Sequence, residues 1–286
     1  DWGVTLEEVD FQLIKNAGFN SVRIPIRWSA HALKDEPYTI DPPFMARVDW
    51  TIEQAFTNGL AVVINMHNYD EFMAAPAEHE ARYLAIWRQI ASHYKNYAPD
   101  LFFEPYNEPH GLGAEAWNQI TSKVVQIIRA INPTRAIIVS PLDYDSHRRL
   151  ADLKLPLTEQ NLIVAVHYYL PFQFTHQGAE WVEGSSAWMG TQWVGNSNDT
   201  SNVDFDFQVM AQWARENARP IYLGEFGAYS KADMASRSRW TTYVARAAEA
   251  NQFSWSYWEF RAGFGIYNHD TKTWNEPLRK ALIPNP

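Results

Sequence analysis

The chain has no cysteine. Disulfides, zinc–thiolate sites and cysteine nucleophiles are therefore excluded together. It has no run of like charges, no low-complexity tract and no Gly/Ser linker, so neither an acidic tail nor a flexible tether is written into it. No apolar stretch is long enough to span a bilayer, and no signal peptide opens at Asp1. A secreted protein already processed would read the same way, and secretion is the expected location. Positive charge is the minority sign: 24 Lys and Arg stand against 33 Asp and Glu, a net charge of −9. That argues against a nucleic-acid partner, whose phosphates need basic patches.

Aromatics are abundant, with 13 Trp, 14 Tyr and 15 Phe in 286 residues. Some must fill the core, which at this length buries roughly three quarters of the unfolded surface. The rest offer flat apolar platforms of the kind on which sugar rings stack.

Short apolar, β-branched runs recur at 21–27, 61–66, 101–106, 136–141, 161–168, 220–224 and 253–258. Segments with helical spacing lie between them, at 6–17, 44–58, 78–96, 115–131, 204–217 and 231–250. Gly18 and Gly59 stand where a left-handed helix cap is expected. Strand–helix alternation means parallel pairing with crossover helices, and near-continuous apolar strands mean that both sheet faces are covered. A doubly wound sheet and a (β/α)8 TIM barrel both fit, and the strand number favours the barrel. Because the chain opens on a helix, a first strand is expected upstream. Residues 1–286 then read as one catalytic domain truncated at its N-terminus. The segment 171–200 reads as a long loop, the kind that carries function.

Barrel enzymes work at the C-terminal ends of their strands. Here those ends carry Arg23, His67, Asn68, Asn107, Glu108, His167, Tyr169, Glu225, Trp258 and Glu259. A plain scaffold would place caps and turn residues there. Three are Glu, and two of them, Glu108 and Glu225, are separated so that a barrel would set them on opposite walls. Paired carboxylates across a cleft are what cleavage of a glycosidic bond needs: one protonates the leaving oxygen, the other attacks the anomeric carbon or activates water. Arg23 and Tyr169 are suited to keep Glu225 ionised as a nucleophile. Glu108, beside a neutral Asn and apolar residues, suits the acid. Asn107 is suited to bind the sugar 2-OH and Trp258 to stack on the ring, while Gly224 and Gly227 allow close backbone approach. The blander reading makes both Glu ion-pair partners of barrel arginines and His67 and His167 mere orienting groups.

VRIPIRW, the His67-Asn68 pair, YNEPHG, VHYY, LGEFGAY and YWEF occur in this order. As a set, from about Trp2 to Leu282, they resemble glycoside hydrolase family 5, the retaining (β/α)8 endo-β-glucanases and mannanases. Through YLPFQFTHQGAEWVEG and the WEF…GFGIY…TW ending, the chain is especially similar to the thermophilic bacterial cellulases of that family. The resemblance implies Glu108 as acid/base and Glu225 as nucleophile. It places Arg23, His67, Asn107, His167, Tyr169 and Trp258 around them, with His176, Trp181 and Glu259 as sugar contacts. It further implies a β-linked polysaccharide substrate, no metal and no cofactor, and a carboxyl separation of roughly 5–5.5 Å. The chain departs from the family in three places: the first strand is absent, Asn68 replaces a second His, and the loop after the run 136–141 reads SPLDYDS. A sugar-binding barrel without catalysis, and a metal-dependent hydrolase on the same scaffold, are the competing readings.

Overall fold

A computed structural model describes residues 5–285. The expected boundary at Trp2 and the expected upstream strand lie outside the described residues. The chain divides into two compact units.

The first unit comprises Asn20–Val166 and Asn217–Pro220. Its strands are β1 (Ser21–Ile24), β2 (Ala61–Asn65), β3 (Leu101–Glu104), β4 (Ile137–Val139) and β5 (Leu162–Tyr168), the last belonging here up to Val166. They pair in parallel in chain order, with Arg23 opposite Val63 and Asn65 opposite Glu104. Parallel neighbours need crossovers, supplied by the helices Pro42–Thr57, Pro76–His93 and Ala114–Ile131. Pro at the start of the first two fits a position whose N–H needs no helical partner. Val62, Ile64, Leu101, Phe103 and Ile137 from the strands and Ile52, Ile86, Trp87, Ile90 and Ile128 from the helices form the core.

The second unit comprises Asp1–Phe19, His167–Glu216 and Ile221–Pro286. It contains α1 (Glu8–Asn16), β6 (Ile221–Phe226) and β7 (Ser254–Trp255), the last two parallel, and the long helices Ser197–Asn217, belonging here up to Glu216, and Met234–Ala250. The helix 234–250 turns Trp240, Val244, Ala245 and Ala248 inward, the core stripe its spacing predicts. A small antiparallel pair, β8 (Tyr267–Asn268) and β9 (Thr273–Trp274), follows β7.

The expected helices are present, most with ends shifted by up to three residues, while the one expected over 204–217 begins seven residues earlier, at Ser197. Gly18 and Gly59 have φ of 97° and 65°, as caps require. The segment 171–200 is less irregular than expected: it contains short helical turns at Phe172–Thr175 and Ser185–Trp188, and a long helix begins at Ser197. Within it Trp193 is 1% exposed and pins the segment to the core, whereas Trp181 is 53% exposed. No helix among the described residues is long and apolar enough to cross a membrane.

Candidate active site

In the first unit a buried ion pair lies at the strand ends. Arg23, from β1, donates through Nε and Nη2 to the two carboxylate oxygens of Glu104 at the end of β3, both at 2.7 Å. The same Nη2 donates to Asn107 Oδ1 at 2.6 Å. This fork holds both partners in one plane, which a Lys could not do. With Oδ1 committed to Arg23, the Asn107 amide presents its NH2 as a donor. His67 also faces an amide whose orientation is fixed. Asn65 Oδ1 accepts from the Ile26 N–H at 3.2 Å, so the Asn65 NH2 is the group facing His67 Nδ1 at 3.4 Å. That NH2 can donate to the ring nitrogen. Asn68 is exposed, has φ of 64°, and accepts from the Ser29 hydroxyl through its carbonyl.

Glu108 follows Asn107 with φ of 54°, a left-handed conformation rare for a side chain of its kind. Its N–H donates to Asp145 Oδ2 at 3.3 Å, and its carbonyl accepts from His110 Nδ1 at 2.8 Å. Asp145 belongs to the loop SPLDYDS and is fully buried. Sequence reasoning passed over Glu104 and Asp145: the first sits inside an apolar run, and the second lies in a loop that could be seen to depart from the family but not to reach back to Glu108.

The second unit holds Glu225 at the end of β6, 5% exposed. The Tyr169 hydroxyl donates to its Oε2 at 2.9 Å, and His167 Nδ1 lies 3.7 Å from the same oxygen. Gly224 leaves room for the His167 ring, because a Cβ would stand a tight 3.0 Å from His167 Nε2. At Gly227 a Cβ would lie 2.2 Å from the Trp258 carbonyl oxygen, the close backbone approach expected of this glycine. Trp258 and Tyr169 pack against Ala179, Tyr229 and Phe264. His176 stacks on Phe172 with centroids 4.1 Å apart and meets Tyr169 edge-on at 4.9 Å. Trp181 stands edge-on to Tyr229 at 4.8 Å. Its loop is tied down where the Tyr229 hydroxyl donates to Glu180 Oε2 at 2.7 Å. Glu259, expected as a sugar contact, accepts from the N–H groups of Arg261, Ala262 and Phe264 at 2.7–3.0 Å and so shapes the turn after Trp258. Burial raises its carboxyl above the usual range, and those three donors offset only part of the effect.

Strands alternating with helices, carrying Glu, His and Tyr at their ends and aromatic rings around them, define a glycoside hydrolase of the (β/α)8 class. Residues 2–263 match the cellulase family, glycosyl hydrolase family 5, and the chain belongs to that family. Endoglucanase H of Acetivibrio thermocellus is 34% identical over 290 residues, covering 99% of this chain and 31% of its own length. Endoglucanase B of Clostridium cellulovorans is 31% identical over 91% of this chain and 64% of its own. The chain thus spans about a third and just under two thirds of these relatives. Among solved structures, the endoglucanase Cel5A of hyperthermophilic Thermotoga maritima matches with a TM-score of 0.97 at 50% identity, over 99% of this chain and 92% of that one. Cel5A is also known in complex with cellobiose and with mannotriose, each 49% identical to this chain. The fold is that of a (β/α)8 barrel.

Proposed function

We propose that this chain is a retaining endo-β-1,4-glycosidase, an endoglucanase acting by double displacement. Glu225 attacks the anomeric carbon and forms a glycosyl ester. Glu108 gives its proton to the departing glycosidic oxygen. Glu108 then takes a proton from water, which attacks the ester and releases a sugar of the original β configuration. The steps balance with two carboxyl groups and one water, so neither metal nor cofactor is required.

The observation that carries this reading is the Tyr169 hydroxyl on Glu225 Oε2 at 2.9 Å. A buried carboxylate held by a phenol donor is fixed in direction, as a nucleophile must be. Within the first unit Arg23 fixes Asn107 through its Oδ1, which leaves the NH2 to donate to a sugar hydroxyl. Trp258, Trp181 and His176 supply faces for the sugar rings, and His67 and Asn68 bind hydroxyls. Glu259 acts through the turn that carries Trp258. A cellobiose complex and a mannotriose complex of one structural relative favour β-glucan with mannan as a second substrate. Polymers of this size cannot enter a cell intact, so we place the enzyme outside it.

Glu225→Ala is expected to abolish release of reducing ends from soluble β-glucan, with azide restoring part of the turnover as a glycosyl azide. Undiminished activity of this variant would refute the assignment. Proton NMR of the first product formed is expected to show the β anomer; an α anomer would mean inversion. Sugar binding without cleavage by the native chain would identify a silent binding protein instead. Product profiles on glucan and mannan side by side set the substrate range.

A further inference from the structure

SPLDYDS, the loop after β4, is the one departure from the family that carries a buried charge, and the proposed reaction gives that charge no part. Asp143, Tyr144 and Asp145 have φ of 57°, 64° and 55°. Three successive left-handed residues without a glycine are uncommon, because each Cβ crowds a backbone carbonyl. The turn they form lies against the loop that bears Glu108, and the two are joined at successive levels. Ser140 Oγ donates to the Tyr106 carbonyl at 2.9 Å. The Tyr144 N–H donates to the Pro109 carbonyl at 3.3 Å, and the Glu108 N–H donates to Asp145 Oδ2 at 3.3 Å. The His110 ring, whose Nδ1 bonds the Glu108 carbonyl, stacks on Tyr144 with centroids 4.6 Å apart and planes 14° from parallel.

We infer that Asp145 is a positioning residue for Glu108. The inference rests on the acid/base role proposed above. Glu108 is itself left-handed, and its backbone torsions set the direction of its Cα–Cβ bond. The Asp145 carboxylate anchors its N–H on one side and His110 anchors its carbonyl on the other, so the peptide planes flanking Glu108 cannot rotate to a commoner conformation. A carboxylate acceptor makes a stronger bond to an N–H than a neutral one does. Asp145 does not touch the reacting atoms; it aims the residue that protonates the leaving oxygen.

The test compares two substrates of the intact chain. Cellotetraose has a sugar leaving group that needs a proton, whereas 2,4-dinitrophenyl β-cellobioside has one that leaves without it. Asp145→Gly removes the carboxylate yet suits a φ of 55°. It is expected to lower kcat/KM about 100-fold on cellotetraose and by less than about threefold on the aryl glycoside. KM for cellotetraose is expected to stay constant. Asp145→Asn keeps an acceptor oxygen and tolerates the left-handed turn, and it is expected to recover most of the loss. Equal losses on both substrates, no loss on either, or an Asn variant as impaired as the Gly variant would each overturn the inference. Glu108→Gln, measured in parallel, separates the two proposals. If Glu108→Gln discriminates between the substrates and Asp145→Gly does not, the positioning role alone fails. If Glu108→Gln does not discriminate, the acid role fails and takes the inference with it.

Discussion

Arg23 and Glu104 are each almost wholly buried, at 3% and 0% side-chain exposure, and meet as a two-pronged pair. Such a pair contributes little net stability over an apolar one, yet breaking it is costly, because the survivor is left charged in a medium that cannot solvate it. Arg23→Ala is expected to lower unfolding free energy by about 3–5 kcal/mol in a urea titration. A loss under about 1 kcal/mol would show that water reaches Glu104. Tyr169 tests a different property. Tyr169→Phe removes one hydroxyl bonded to a carboxylate, worth about 1.5–3 kcal/mol. It is expected to lower kcat/KM by roughly 10- to 100-fold with KM little changed. A change confined to KM would make Tyr169 a sugar contact and not a functional partner of Glu225. The two residues also differ in legibility. The partnership of Tyr169 with Glu225 is foreseeable from their placement at strand ends. Glu104 looks like an interruption of the apolar run 101–106, since nothing local says that an arginine 81 positions earlier lies opposite it.

Among the elements, the loop after β6 and the turn after β7 act as one piece. Gly227 permits the Trp258 carbonyl to sit where a Cβ would otherwise be, and Arg237 ties the same region by donating to the carbonyls of Ala228 and Phe264. Gly227→Ala would push a methyl against backbone, which cannot rotate away. A destabilisation of about 1–3 kcal/mol is expected, together with displacement of Trp258. Trp fluorescence quenching by cellotriose should report the displacement as weakened binding. Unaltered binding and stability would show the loop to be soft. Another element-scale contact is the Arg261–Asp10 pair, 3.0 Å apart and buried at both ends, which joins this turn to α1. Arg261 also donates to the Thr5 carbonyl and to His269. This contact was not readable in the chain, because its partners are 251 residues apart.

At the scale of the whole molecule, the excess of nine negative charges acts over distances longer than any contact. Screening confines such fields to about 10 Å at 0.1 M salt. On carboxymethyl-substituted glucan, a polyanion, KM is expected to fall as salt rises from about 0.01 to 0.2 M, while KM on a neutral β-glucan stays constant. Equal salt responses on both polymers would locate the acidic surface away from the path of the substrate.

The sequence by itself determined the alternation of strands and helices, the caps at Gly18 and Gly59, and the strand ends that bear Glu108 and Glu225. These follow from periodicity, backbone sterics and the cost of placing polar groups where apolar runs stop, all of which act over a few residues. Only the tertiary structure decided that Arg23 engages Glu104, that Trp193 is buried while Trp181 is exposed, that Glu259 holds a turn, and that Asp145 reaches the backbone of Glu108. Each depends on the register and twist that bring remote segments together, and short-range pattern carries no information about which distant atoms will share a desolvated space.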